Sequence, residues 1–174
     1  MKIGLFYGST TCYTEIAAEK IAHSLGEDIV DMFDIKDTPL SQMDDYDILI
    51  LGISTWDFGE LQEDWEAIWD DIDSVDLNGK VVALFGLGDQ IGYTEWFQDA
   101  LGMLHDKAVI QGAALIGYWP NEGYEFEKSL ALTKDNKHFY GLALDDESQY
   151  EMTEQRVNAW SSQILAELEV LFAE

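Results

Sequence analysis

The stretch "GLFYGSTTCYTE", residues 4–15, decides which fold class we expect for this chain of 174 residues. It begins as an apolar strand, turns at Gly8 and then becomes rich in hydroxyl groups. The hydroxyl side chains are those of Ser9, Thr10, Thr11 and Thr14. A loop that leads from a strand into a helix presents free backbone N–H groups and a partial positive charge. The stretch therefore predicts a β-α unit whose connecting loop binds an anion.

The same loop restricts the kind of anion, because it contains no lysine or arginine. A loop for a nucleoside triphosphate with magnesium carries a lysine, so this class of ligand is not expected. A single phosphate monoester fits the neutral N–H and O–H donors better. A cluster of helix N-cap residues would produce the same hydroxyl groups, and the loop alone does not separate these two interpretations.

Short apolar runs along the rest of the chain read as the strands of one sheet, and several are apolar on both faces. The runs cover residues 2–7, 28–33, 46–54, 80–88 and 113–119. Strands of this kind are typical of a parallel sheet that is covered by helices. Apolar residues recur at helical spacing between the runs, in stripes at 17–25, 61–72, 97–104 and 157–171 that we interpret as helices packing on the core. The alternation predicts an α/β fold: a doubly wound, five-stranded parallel sheet with helices on both faces.

A long polar excursion follows the fifth predicted strand. It covers residues 120–137 and precedes another apolar run at 138–144. The excursion is expected to interrupt the fifth strand, and loops of this length usually have a function or wrap a sheet edge. Without a repeat, a linker or a change in composition, the chain is expected to form a single domain over residues 1–174.

The charge balance is strongly acidic, with 9 basic and 35 acidic residues and a net charge of −26. Such a surface repels nucleic acid and anionic membranes, so neither is expected as a partner. It attracts partner proteins with a basic docking face. An acidic surface that only maintains solubility is the alternative, and both interpretations hold together.

The cysteine content and the apolar runs indicate the compartment. The chain has a single cysteine, which excludes an internal disulfide and fits a reducing environment. The N-terminal apolar run is too short for a signal peptide, and no run is long enough to span a membrane. We therefore expect a soluble, cytoplasmic protein, which we also expect to be a monomer.

Three loops are the candidates for a ligand site, because ligands of doubly wound sheets bind beyond the carboxyl ends of the strands. They follow the first, third and fourth strands, at residues 8–15, 54–65 and 86–97. The third loop has the spacing G-x-G-x-x-x-G after the fourth strand, which fails the dinucleotide fingerprint. Trp56 and Tyr93, taken singly, are surface aromatics. Together they are able to sandwich one flat ring.

The motifs in these loops resemble those of the flavodoxins, small proteins that carry FMN and shuttle electrons. They are "FYGSTT" with "TE" at 14–15, "TWDFGELQEDW" at 55–65, "GLGDQIGY" at 86–93, "FQDALG" at 97–102, and "GYEF" with "FYGLALD". The resemblance covers nearly the whole chain, and the excursion is similar to that of long-chain flavodoxins. "TCYTE" and "TEWFQDALGMLHDK" resemble the second flavodoxin paralogue of some proteobacteria.

The resemblance implies a flavodoxin-like fold and a cofactor site for FMN. The residues that it implies around the FMN phosphate are Ser9, Thr10, Thr11, Cys12, Tyr13 and Thr14. Those implied along the ribityl chain and the ring are Ser54, Thr55, Trp56, Asp57, Phe58 and Gly59, and those at the pyrimidine edge are Leu87, Gly88 and Asp89. Trp56 is expected to cover one ring face and Tyr93 the other. The acidic turn 145–147 lies near the ribityl hydroxyls in such proteins, and the carboxylate that reaches them is left open.

Two positions depart from the family pattern. Cys12 stands where most flavodoxins have glycine, so cysteine must adopt any unusual backbone angle that is required there. Asp57 stands where related proteins often have a neutral residue. Its carboxylate is expected to disfavour a negatively charged reduced flavin.

The function implied by the resemblance is that of a low-potential, one-electron carrier that shuttles between semiquinone and hydroquinone. We expect the carbonyl of Asp57 to rotate and accept the flavin N5 hydrogen, with Gly59 permitting the movement. No catalytic residue and no metal site are expected. The partners implied are a ferredoxin/flavodoxin–NADP reductase and reductively activated enzymes. The alternatives are a flavodoxin-like, FMN-dependent NAD(P)H or quinone oxidoreductase and an interaction module without flavin.

Overall fold

The structure, a computed structural model, describes residues 1–173; Glu174, the last residue of the expected domain, lies outside the described residues. The strands are β1 (Ile3–Tyr7), β2 (Val30–Asp34), β3 (Ile48–Trp56), β4 (Glu60–Leu61), β5 (Val81–Leu87), β6 (Ala114–Ile116), β7 (Trp119–Pro120), β8 (His138–Phe139) and β9 (Leu142–Leu144). The α-helices are α1 (Tyr13–Leu25), α2 (Glu63–Ala67), α3 (Asp99–Ile110) and α4 (Tyr150–Leu171). Two 3₁₀-helices cover Leu40–Asp45 and Asp70–Ser74.

The main sheet has the strand order β2-β1-β3-β5-β6, and these strands run parallel. Phe6 in β1 is in register with Phe33 on one side and Leu51 on the other. The order reverses between β1 and β3, because the chain moves outward to β2 and then returns past β1. This confirms the expected doubly wound α/β fold and places the switch point at the carboxyl ends of β1 and β3.

The fifth strand of the sheet is divided into two pieces, as expected. β6 pairs with the first half of β5, Val81–Ala83, and β9 pairs with its second half, Phe85–Leu87. The first piece is shorter than the predicted run because the chain leaves the sheet at Gly117, whose φ of 80° suits glycine. A side chain there would also collide with Ile164 on α4. The intervening segment forms a small antiparallel sheet of β7 and β8.

Both faces of the sheet are buried, and alternate residues of each strand enter different cores. Val81, Ala83 and Phe85 pack on the side of α1 and α4. Val82 and Leu84 pack on the side of α3. Helices therefore cover both faces, which explains why the strands are apolar throughout.

The helical stripe at 61–72 forms less helix than its spacing predicts. The α-helix α2 ends at Ala67, and the 3₁₀-helix Asp70–Ser74 follows. Consecutive aspartates favour turns over helix and repel one another. Trp65 and Ile72 are nevertheless both buried, so the stripe still packs against the sheet.

The helices of residues 1–173 include none that combines the length and the apolar character needed to cross a membrane.

Candidate functional site

A cleft of about 260 Å³ lies at the carboxyl ends of β1, β3 and β5. Its lining residues are Thr11, Tyr13, Thr14, Ser54, Thr55, Trp56, Asp57, Leu87, Gly88, Asp89, Tyr93, Asp146 and Glu147. The structure thus brings the three predicted loops together with the acidic turn. The other residues singled out from the sequence lie beside the cleft and not on its lining: Ser9, Thr10, Cys12, Phe58 and Gly59.

The first loop presents hydroxyl groups at the start of α1. Thr10 and Thr11 are exposed, whereas Thr14 is buried in the first turn of the helix. Ser9 Oγ accepts a long hydrogen bond of 3.4 Å from the backbone N–H of Glu15. The N-terminus of a helix favours negative charge, so this part of the cleft is suited to an anion.

Cys12 precedes α1 in the left-handed region of backbone conformation, with φ 70° and ψ −8°. This conformation strains a residue with a side chain, whereas glycine adopts it freely. Its thiol is exposed and caps no backbone group of the helix. Position 12 therefore has a backbone geometry that glycine adopts more easily than cysteine.

The second loop is a tight hairpin between β3 and β4. Trp56 pairs with Glu60 across it, and the turn places Asp57 at φ 45° and Gly59 at φ 86°. Trp56 Nε1 donates a hydrogen bond of 2.9 Å to Ser54 Oγ, which orients the indole. Phe58 at the tip is 67% exposed. Trp56 and Asp57 therefore line the cleft, while Phe58 points away from the protein core.

The hydroxyl of Thr55 holds this hairpin against α3. Thr55 Oγ1 accepts a hydrogen bond of 2.9 Å from the backbone N–H of Ala100, in the first turn of the helix. A side chain that satisfies a free N–H group at a helix start stabilises that end of the helix. Sequence reasoning assigned Thr55 to the ligand alone and missed this structural contact, which crosses 45 residues of chain.

The third loop is shaped by the carboxylate of Asp89. Its Oδ1 accepts hydrogen bonds from the backbone N–H groups of Ile91 (3.1 Å) and Gly92 (2.8 Å). The backbone carbonyl of Asp89 accepts from the N–H of Tyr93 at 3.0 Å. Asp89 therefore forms the turn that brings Tyr93 to the cleft.

The acidic turn 145–147 divides its side chains between the interior and the cleft. Asp145 is fully buried and accepts four hydrogen bonds of 2.8–3.1 Å. The donors are Gln90 N, Gln90 Nε2, Glu147 N and Ser148 N. Asp145 thus fastens the third loop to the acidic turn, a role for which the sequence contained no local signal.

Asp146 and Glu147 are the carboxylates of this turn that line the cleft. Burial raises the pKa of Asp146, while a hydrogen bond from Thr153 and the charge of Lys20 oppose the shift. Within this turn, Asp145 therefore faces inward, and its two neighbours line the cleft.

The charged residues on the cleft lining are all acidic, namely Asp57, Asp89, Asp146 and Glu147. The loop after β1 thus offers neutral O–H donors and a helix N-terminus to the cleft, and Tyr13, Trp56 and Tyr93 add aromatic side chains to the lining. This donor set fits a molecule with a flat ring and a single phosphate. Within residues 1–173, no group of histidine, cysteine, aspartate or glutamate side chains is arranged to hold a metal ion.

Comparison with known proteins agrees with this geometry. The protein-family model described as "Flavodoxin" matches residues 5–160. The chain is 55% identical to Flavodoxin 2 of Salmonella typhi and 56% identical to Flavodoxin 2 of Escherichia coli K12, in each case over 168 residues and 97% of both chains. The crystal structure of Fusobacterium nucleatum flavodoxin bound to flavin mononucleotide is similar, with a TM-score of 0.89 and 31% identity over 95% of this chain and 98% of that chain.

Proposed function

This chain belongs to the flavodoxin family, and we propose that it binds FMN non-covalently in the cleft and transfers single electrons between protein partners. One observation carries the proposal. A loop with neutral donors for a phosphate and two aromatic side chains, Trp56 and Tyr93, line the same cleft of about 260 Å³. A flavodoxin that is similar over 95% of this chain has flavin mononucleotide bound.

The first loop is proposed to hold the phosphate through its backbone N–H groups and the hydroxyls of residues 9–14. Neutral donors and a helix N-terminus bind an anion without placing a full positive charge next to it. Ser54, Thr55 and the hairpin 56–59 are proposed to follow the ribityl chain and the ring. Leu87, Gly88 and Asp89 are proposed to meet the pyrimidine edge.

Bound FMN would supply the one-electron redox chemistry, and the protein would tune it. Trp56 and Tyr93 would exclude water from the faces of the flavin ring. Asp57 and Asp146 bring negative charge to the cleft, and that charge opposes the addition of further negative charge. We therefore propose that the chain favours a low reduction potential. The hairpin turn at Asp57 supplies a peptide carbonyl whose orientation can change, because Gly59 beside it tolerates unusual backbone angles.

Membership of the family implies redox partner proteins, and the charge of this chain indicates their surface. With a net charge of −26, it attracts basic docking faces over a range set by the ionic strength. We propose that a ferredoxin/flavodoxin–NADP reductase and reductively activated enzymes are among them. A monomeric state, a cytoplasmic location and a single domain over residues 1–174 stay predictions.

The alternative function, an FMN-dependent NAD(P)H or quinone oxidoreductase, is not favoured. The relatives that match over 97% of this chain are flavodoxins, and flavodoxins are electron carriers. An enzyme of that kind needs space for a second substrate over the ring, whereas Trp56 and Tyr93 both line the cleft.

Titration of the apoprotein with FMN, followed by the loss of flavin fluorescence, tests the proposed site. We expect stoichiometric binding, and about tenfold weaker binding for Trp56→Ala and for Tyr93→Ala because each removes a stacking surface. Ile91→Ala is the matched control, since Ile91 lies in the same loop as Tyr93 but is 62% exposed and does not line the cleft. Equal weakening in all three variants, or no binding by the unaltered chain, would contradict the proposal.

A further inference from the structure

Asp99, the first residue of α3, is a buried carboxylate that faces two separate segments of the chain. It is 6% exposed. Its Oδ1 accepts a hydrogen bond of 2.8 Å from the backbone N–H of Leu130, in the 120–137 insertion. Its Oδ2 lies against the hairpin turn, so close to Gly59 that a Cβ atom built there would be 2.9 Å away. Burial raises the pKa of Asp99, and no lysine, arginine or histidine among residues 1–173 forms an ion pair with it.

The insertion is attached to the third loop and to α3 by a series of similar hydrogen bonds. Backbone N–H groups of the insertion donate to side chains at three successive points. The pairs are Glu125 N to Gln90 Oε1 (2.6 Å), Glu127 N to Thr94 Oγ1 (2.9 Å) and Leu130 N to Asp99 Oδ1 (2.8 Å). Of the three acceptor side chains, only Asp99 is among the nearest neighbours of Gly59.

The hairpin turn rests on the segment that carries Asp99. A Cβ atom at Gly59 would also lie 3.0 Å from Trp96, and the ring of Phe58 packs edge-on against Trp96 at 5.1 Å between centroids. The turn already holds Asp57 at a positive φ. Because that conformation is unfavourable for a residue with a side chain, it depends on the surfaces that pack beneath it.

We propose that Asp99 is a positioning residue that couples the 120–137 insertion to the hairpin turn 57–60 and thereby tunes the one-electron potentials of the cleft. The part that concerns potentials rests on the proposed function. The coupling itself is a property of the chain alone. The carboxylate acts in two ways, by fixing the insertion beside the turn and by adding a buried negative charge next to it.

Amide hydrogen exchange on the apoprotein tests the coupling without any flavin. We expect Asp99→Ala to increase exchange about tenfold both at residues 130–131 and at residues 60–61, because one side chain supports both segments. Thr94→Val is the matched control: it removes a side-chain contact of the insertion that does not reach the hairpin, while Glu127 N keeps its bond of 2.8 Å to the Thr94 carbonyl. Exchange at residues 60–61 and 130–131 should therefore stay unchanged in this variant. Faster exchange in the insertion alone for Asp99→Ala would overturn the coupling.

The potentials of the FMN-loaded protein test the second part. Asp99→Asn retains the acceptor for Leu130 N and removes the charge. We expect its equilibrium constant for addition of the second electron to rise threefold or more. Thr94→Val should leave that constant unchanged. A tenfold change in the constant corresponds to about 59 mV for one electron. Equal potentials for Asp99→Asn and the unaltered protein would overturn the role in tuning. Failure to bind FMN would refute the proposed function, and the exchange experiment would still decide the coupling.

Discussion

The loops after β1 and β5 line the same cleft, but they are held in different ways. The loop after β1 is largely exposed, and the side-chain hydrogen bonds of Ser9 and Thr10 measure 3.0–3.4 Å. The loop after β5 is fastened from within by Asp145 and Gln90, through bonds of 2.6–3.0 Å. The loop after β5 is therefore fixed around Tyr93 by the protein's own contacts, whereas we expect the loop after β1 to use its exposed hydroxyls as donors to a ligand.

Among the variants that test this difference, replacement of Asp145 should change the stability of the protein most. Asp145→Ala leaves two buried and two part-buried N–H donors without their acceptor, and we expect the free energy of unfolding to fall by about 3 kcal/mol. Urea unfolding of the apoprotein measures the change. Asp146→Ala is the adjacent control, for which a loss below about 1 kcal/mol is expected. Equal losses for both variants would mean that the loop is not held by Asp145.

A substitution in the loop after β1 should change the affinity for FMN more than the free energy of unfolding. Thr14→Val keeps the shape of a buried side chain on the cleft lining and removes its hydroxyl. We expect FMN to bind about tenfold more weakly, which is the effect of one lost hydrogen bond to a charged group. Riboflavin, which lacks the phosphate, should bind the variant and the unaltered protein equally. A parallel loss for riboflavin would show that Thr14 does not serve the phosphate.

Cys12 allows the backbone of the same loop to be tested. Because its φ of 70° suits glycine, Cys12→Gly should stabilise the apoprotein by about 1 kcal/mol. Thermal or urea unfolding gives the sign directly. Cys12→Ala is the control, since it removes the thiol but keeps the strained side chain, and it should not stabilise the protein. Stabilisation by alanine as well would assign the effect to the thiol.

The smallest effect is expected at Asp146, next to the fastening carboxylate. Burial raises its folded-state pKa, so its contribution to stability is complete below the ordinary aspartate range and is lost as the pH rises through the folded value. Relative to Asp146→Asn, the unaltered protein should therefore lose stability as the pH rises above about pH 4, the ordinary aspartate range. Water screens this half-buried group, so the change should be smaller than that of Cys12→Gly. A constant difference across this range would contradict the assigned pKa shift.

The sequence patterns that predicted structure correctly are those with a local cause. Short apolar runs located the strands of the main sheet, and the polar excursion at 120–137 located the break in the fifth strand. Hydroxyls near the start of α1 and the aromatics Trp56 and Tyr93 all lie at one cleft or beside it. Each of these signals resides in a few neighbouring residues, where propensity and periodicity act.

The features that the sequence did not predict depend on contacts between distant residues. Asp145 meets Gln90 across 55 positions, and Asp99 meets Leu130 across 31. A buried aspartate that fastens a loop has no local pattern that separates it from an exposed carboxylate residue such as Glu147. The prediction of helix throughout 61–72 was wrong for a related reason. Burial of Trp65 and Ile72 requires only that both side chains face the sheet, and it does not require that one helix carries both.

Stepwise anaerobic reduction of the FMN-loaded protein, followed by its visible spectrum, tests the central claim most directly. The proposed function predicts flavin absorption in the purified protein and two separate one-electron steps, with no steady oxidation of NAD(P)H by the protein alone. A single two-electron step accompanied by NAD(P)H turnover, or a colourless protein that does not take up FMN, would contradict it.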